Sequence, residues 1–265
     1  MFDRLRQFFR PKDDSPSSTI PTGQRVYAVG DVHGRLDLFT ALIAAIEADD
    51  ATRGAADTTI VLLGDLVDRG PDSAGVLATA RELQSRRQVR IIAGNHEEMF
   101  LQSLDDADVL KHFLRYGGRE TVLSYAIDPV RYRDATLEQA QQMLREAIPE
   151  ADLAFVSSFE DHVRIGDYLF VHAGIRPGAP IENQRSSDLR WIREPFLSHS
   201  GDHGLMVVHG HTITDDVDIR PNRIGIDTGA YQSGRLTALG LEGTAQWLVE
   251  AAEADGVIST TARPI

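Results

Sequence analysis

The chain has 265 residues, with 27 Lys+Arg against 40 Asp+Glu and a formal net charge of −13. Its 42% hydrophobic and 25% charged residues are ordinary for a core-forming protein, so bulk disorder is excluded, and no apolar run approaches the ~18 residues of a membrane span. The acidic balance argues against nucleic acid or anionic lipid as partners, and the absence of cysteine excludes disulfides, thiolate nucleophiles and Cys-type zinc sites, in keeping with a cytoplasmic protein.

Residues 1–12 space Phe2, Leu5, Phe8 and Phe9 in a helical manner among Arg4, Arg6, Arg10 and Lys12. No cleavage site follows, so this reads as a basic amphipathic terminal helix rather than a secretory signal, with weak membrane-surface contact as its functional alternative. The polar, proline-containing stretch 13–22 is a linker, and the working domain is expected over 24–254. Within it, strands are expected at 25–29, 58–63 and 89–93, separated by helices at 36–48 and 72–87. The run 58–63 is apolar on almost every residue, as for a strand covered on both faces. From 97 to about 149 the spacing is helical, with a break at Gly117-Gly118. Short strands follow at 162–165, 168–171, 205–208, 223–226, 236–241 and 246–249, and 255–265 reads as a loose tail. Strand–helix alternation predicts an α/β fold.

The residues beyond the strands carry the chemistry. Gly30-Asp31-Val32-His33-Gly34, Gly64-Asp65-Leu66-Val67-Asp68-Arg69-Gly70, Gly94-Asn95-His96-Glu97, His172-Ala173-Gly174 and His209-Gly210-His211-Thr212 each follow an apolar run. Ligands gather at the carboxyl ends of strands in α/β sheets, and glycine permits close backbone approach there. Each segment alone has a duller reading: Asp after a strand caps helices and turns, and a lone His is more often a packed core residue. Jointly those readings fail, because five of the nine histidines fall in these five short segments. Carboxylate, imidazole and amide oxygens without thiolate suit Mn²⁺, Fe or Zn²⁺. Two such ions ~3.5–4 Å apart can activate a bridging hydroxide for in-line attack on phosphorus. With lysine present only as Lys12 and Lys111, lysine-based covalent chemistry is not expected.

These ordered motifs resemble the PPP family of metal-dependent serine/threonine protein phosphatases. The stretch Gly210-His211-Thr212, Ile226-Asp227-Thr228-Gly229-Ala230 and Gly234-Arg235-Leu236-Thr237 resembles its compact bacterial and phage lambda branch. The resemblance runs from about Val26 to Leu239. It implies the calcineurin-like metallophosphoesterase fold, a central β-sandwich flanked by helices in four α/β/β/α layers, with a dimetal site at the strand C-terminal ends.

By that resemblance, Asp31 and His33 bind one metal, Asp65 bridges, and Asn95, His172 and His211 bind the second, with Mn²⁺ the first expectation. His96 is the general acid, oriented by Asp68. Arg69 and Arg193 bind phosphate together with Asn95, although Arg190 lies close enough to be confused with Arg193. His209 is left beside the site without an assigned role. The implied reaction is hydrolysis of phosphoserine or phosphothreonine, with phosphotyrosine as a further substrate class, in proteins or peptides; the chain is expected to be a monomer. Two alternatives stand beside it: a dinucleotide polyphosphate hydrolase of the diadenosine tetraphosphate type, and a catalytically silent module that reads phosphorylated partners.

Overall fold

Residues 18–265 are described by a computed structural model, so the basic segment and the first half of the linker, residues 1–17, lie outside it. The chain begins with β1 (Gln24–Val29), α1 (Leu36–Thr52), β2 (Asp57–Leu62), α2 (Ser73–Arg86) and β3 (Gln88–Ile91). Then come α3 (Asn95–Ser103), α4 (Ala107–Phe113), α5 (Arg119–Ser124), α6 (Pro129–Arg133), α7 (Leu137–Ala147) and α8 (Glu150–Ser157), with a π turn at Leu114–Gly118 where the Gly-Gly break was expected. Next are β4 (His162–Ile165), β5 (Tyr168–Val171), α9 (Ser186–Trp191), β6 (Met206–His209), β7 (Asp218–Ile219) and β8 (Arg223–Gly225). The chain closes with α10 (Ala230–Ser233), β9 (Arg235–Glu242), β10 (Ala245–Ala254) and β11 (Val257–Pro264).

Two mixed sheets result. One has the order β11-β10-β9-β1-β2-β3, and the other β4-β5-β6-β8-β7. Strands β1, β2 and β3 are mutually parallel, as are β5, β6 and β8, so the carboxyl ends of each trio lie together. The side-chain alternation of a strand explains the layering. Tyr27, Val29, Ile60 and Leu62 face α1 and α2, where Leu38, Leu42, Ile46, Val76 and Leu77 complete one core. Their neighbours Val26, Ala28, Val61 and Leu63 point the other way and meet Tyr168, Phe170, Val208 and Ile224 of the second sheet. Burial on both faces is why β1 and β2 read as continuous apolar runs.

The outer face of the second sheet is covered thinly. Leu169, Val171 and Val207 pack under Leu189, Ile192 and Phe196, so the fourth layer is the six-residue α9 and its flanking loop. The loose tail expected at 255–265 is corrected: 257–264 forms β11, paired along its length with β10. Asp255 and Gly256 both have positive φ, 53° and 76°, the geometry of a two-residue hairpin turn that Asp-Gly favours. β11 is exposed at almost every residue, which removes the apolar signal of a strand.

Candidate metal centre

The loops that leave β1, β2, β3, β5 and β6 converge on one buried cluster. Five of its side chains sit on residues with positive φ: His33 (47°), Asp65 (49°), Asp68 (73°), Arg69 (69°) and His211 (63°). Asp255 in the hairpin turn is the other non-glycine example among the described residues. Each such conformation costs roughly 1–3 kcal/mol and persists only where surrounding structure enforces it. Here the enforcement is visible: Asp65 O accepts the N–H of both Val32 and His33, and Leu66 O accepts that of Gly34. Glycine gives the close approach. A Cβ on Gly94 would lie 2.1 Å from Asp65 Oδ1, and one on Gly210 would lie 2.1 Å from Asp31 Oδ1.

Asp65 stands at the centre. Its Oδ2 is 3.5 Å from His33 Nε2 and 3.9 Å from His96 Nε2, while its Oδ1 is 3.4 Å from His172 Nε2. Two overlapping triplets have atoms close enough to hold an ion, His33–Asp65–His96 and Asp65–His172–His211. Asn95 joins the second, with Oδ1 3.0 Å from His172 Nε2 and 2.8 Å from His211 Nδ1. Asp31 belongs to neither triplet; its carboxylate accepts the His211 backbone N–H at 3.1 Å.

The donor set fits cations. Burial holds His33 and His172 below the ordinary imidazole value and lowers His211 to about 3, so all three are neutral near pH 7, the form that ligates metal. His172 Nδ1–H donates to Leu63 O at 2.8 Å, leaving only a lone pair on Nε2. That lone pair faces Asn95 Oδ1 and Asp65 Oδ1. The His172 lone pair thus meets two oxygens with no proton between, although Asp65 Oδ1 also accepts the His96 N–H at 3.0 Å, and a cation would suit the gap. His211 Nε2 is buried without a partner as well.

His96 is arranged differently. Its Nδ1 is 2.6 Å from Asp68 Oδ2, and Asp68 Oδ1 accepts the hydroxyl of Thr121 at 2.6 Å. Burial pulls His96 down, but the carboxylates of Asp65 and Asp68 outweigh it and hold the imidazole above its ordinary value. Arg69 lies at the rim, with Nη1 2.8 Å from His33 Nε2 and its guanidinium 4.7 Å over the Tyr231 ring. Arg193 is exposed, has no ion-pair partner among the described residues, and its charge is felt at His211. Arg190, by contrast, is tied to Asp161 at 2.7 Å and lies 3.8 Å from Glu98. His209 packs edge-on against Phe196, with Nδ1 on Gly210 O and Nε2 3.4 Å from Arg223, away from the ligand triplets.

Several participants were not singled out from sequence. The buried Glu97 carboxylate accepts the N–H groups of Asp65, Leu66 and Gly94 at 2.7–2.8 Å, and burial pushes it up to about 7. It clamps the loop after β2 to the start of α3. Thr121 and Ser73 accept the Asp68 N–H, and Tyr231 packs on His33. Asp227 has a buried, unpartnered Oδ2. Glu97 is the last residue of the Gly94-Asn95-His96-Glu97 motif and Asp227 lies in the Ile-Asp-Thr-Gly stretch, both without a role assigned from sequence. Thr121 and Ser73 carry no local signal, because the fold brings them in from α5 and α2.

A family model of calcineurin-like phosphoesterases matches residues 24–259. Serine/threonine-protein phosphatase 1 of Salmonella typhimurium is 28% identical over 237 residues, covering 86% of this chain and 97% of that protein. The asymmetrical bis(5'-nucleosyl)-tetraphosphatase PrpE of Anoxybacillus flavithermus is 25% identical, covering 80% and 88%. Among solved structures, one provisionally described as a diadenosine tetraphosphatase superposes with a TM-score of 0.60 at 20% identity, over 93% of this chain and 98% of that one. The cold-active protein-tyrosine phosphatase of a psychrophilic Shewanella gives 0.55 at 19% identity, over 91% and 83%; at these identities the two structures speak to fold alone. Motif order, sheet arrangement and the acceptor-rich cluster thus agree with the match along the chain, which belongs to the calcineurin-like phosphoesterase family.

Proposed function

We propose that this phosphoesterase is a PPP-type protein phosphatase that hydrolyses phosphoserine and phosphothreonine monoesters. The observation carrying this reading is the His96–Asp68 pair. An alkoxide leaving group needs a proton as the P–O bond breaks, whereas a phosphoanhydride expels a stable phosphate and does not. With Nδ1 bound to Asp68 at 2.6 Å, His96 turns Nε2 toward Asp65 and the centre of the cluster. A proton donor aimed at the cluster in this way supports a reaction in which an alcohol leaves.

Asp65, with His33 on one side and Asn95, His172 and His211 on the other, is the group that would hold two divalent cations, with Asp31 completing the first side. Bound there, Mn²⁺, Fe or Zn²⁺ would supply Lewis acidity at the phosphoryl oxygens and lower the pKa of water. Arg69 offers a guanidinium fork to the substrate oxygens from the rim, and Arg193, free of carboxylate partners, offers a second. Asp68 fixes the tautomer of His96 and is itself fixed by Thr121. The local positive charge acts in spite of the net −13, because exposed charges are screened beyond roughly 8 Å at physiological salt.

The second reading, hydrolysis of dinucleoside polyphosphates, is favoured by the PrpE relatives, which align over most of this chain. A phosphoserine peptide and diadenosine tetraphosphate assayed side by side with Mn²⁺ distinguish the two. A kcat/KM at least about tenfold higher on the peptide is expected; the reverse order overturns the protein-phosphatase reading. Loss of all turnover with EDTA is expected for either substrate.

A further inference from the structure

The edges of the two sheets are not alike. β3, β4 and β7 are four, four and two residues long, and the continuation of β3 is covered, because Ile92 bridges to Glu160 and Arg90 pairs with the Glu160 carboxylate. β11 is eight residues long and, among the described residues, its outer side has no strand beside it. Natural proteins blunt such edges with charges, bulges or short strands, because an open edge pairs with another chain. β11 has Val-Ile-Ser-Thr-Thr-Ala before its Arg263-Pro264 end, and Val257 is 68% exposed.

Charge singles out the same edge. The protein has 40 acidic residues and a net charge of −13, so two copies repel over most of their surface. Residues 257–265 contain no acidic residue and one arginine. Beside the strand, Leu36, Ala41, Ala44, Pro71 and Ile258 line a mainly apolar groove of about 670 Å³ between α1 and the sheet, with Asp37, Thr40 and Asp72 also in its wall.

The hydrogen-bond phase of the strand fixes how a partner pairs. Ile265 N–H donates inward to Gln246 O, and the register with β10 then makes 257, 259, 261 and 263 the inward-bonded residues. The N–H and C=O groups of Ile258, Thr260 and Ala262 point outward. We infer that the protein forms a two-fold symmetric dimer in which β11 pairs antiparallel with β11 of a second copy, centred on Thr260. In that register Thr260 faces Thr260 of the second copy and Ile258 faces Ala262, so every outward N–H meets an outward carbonyl. Ile258, Thr260 and Ala262 share the face that carries α1 and the groove, since their β10 partners Ala251 and Val249 belong to that core. The contact is isologous, as a closed dimer requires. It replaces the monomer expected from sequence and is independent of the catalytic reading.

The cysteine-free chain allows a clean test. Directly opposed residues of a hydrogen-bonded antiparallel pair have Cα atoms about 5.5 Å apart, within disulfide reach. Under mild oxidation of the full chain, Thr260→Cys gives a covalent dimer, whereas Arg263→Cys, with its two-fold mate about 20 Å away, does not. Light scattering at rising concentration shows a mass moving from one chain to two. Thr260→Pro removes an outward N–H that the monomer does not use and holds the mass at one chain. Thr260→Lys keeps that N–H, sets two cations together and gives the same loss, so the test survives misfolding of the proline variant. A wild-type mass of one chain at about 100 μM, a dimer that persists in both variants, or cross-linking favoured at Arg263→Cys overturns the inference; micromolar association suits so small an interface.

Discussion

The two halves of the cluster answer to different chemistry, although Asp65 belongs to both. On the His33 side the protein satisfies its own polar atoms. His33 lies between Val67 O and the Arg69 guanidinium, and His96 is bound to Asp68. On the His172 side, acceptors face acceptors: His172 Nε2, Asn95 Oδ1 and Asp65 Oδ1 converge, and His211 Nε2 has no partner. A cation would complete the second half by taking the His172 Nε2 lone pair. In the first, His33 Nε2 lies 2.8 Å from Arg69 Nη1, so a cation held by His33 would take the place of that contact and leave the guanidinium available to an anion. One buried carboxylate, Asp65, thus joins a side where acceptors lack donors to a side whose imidazoles are held by Val67 O, Arg69 and Asp68.

Substitutions at four positions probe this difference. Asp65→Asn removes the charge common to both halves, and both metals are expected to be lost by elemental analysis. Turnover should fall by more than about 10⁴-fold, above the range for losing a general acid alone. His96→Asn acts on the first half only: kcat on a phosphoserine peptide falls by about 10²–10⁴ while metal content stays at wild type. An unchanged rate would remove His96 from the proton-donor role.

His209 offers a contrast just outside the cluster. Burial lowers it to about 4, so it stays neutral when folded, while the unfolded chain takes up a proton near 6.5. Its contribution is complete above pH 6.5 and is lost as the pH falls toward 4, by up to about 3 kcal/mol. Denaturant titrations of His209→Gln should show a flatter stability slope across that window, with or without metal, if His209 has no part in ligation. The smallest effect belongs to Arg69. Arg69→Gly should be more stable than Arg69→Ala by about 1 kcal/mol, because both lose the guanidinium while glycine alone accepts a φ of 69° without cost. Equal melting temperatures would mean that the loop is not strained.

The parts of the fold legible in sequence are those where local pattern and burial agree. Strands β1 and β2 are covered on both faces, so their apolar runs stand out, and α1 announces itself through Leu38, Leu42, Ile43 and Ile46. The motif residues were legible because glycine and histidine cluster after those strands. β11 was not, because an edge strand exposed on both faces carries no apolar alternation and leaves only Asp255-Gly256 as a signal. Thr121 and Ser73 were hidden for another reason: their contacts with Asp68 span 53 and 5 residues and depend on how α5 packs on α2. The distinction between Arg190 and Arg193 likewise rests on Asp161, a partner that sequence proximity does not reveal.

The central claim is that these loops hold two cations around Asp65. Anomalous diffraction from crystals grown with excess Mn²⁺ tests it most directly. Two peaks are predicted, both beside Asp65, one shared with His33 and Asp31 and the other with Asn95, His172 and His211. A single peak, or manganese bound only elsewhere on the protein, would contradict the account.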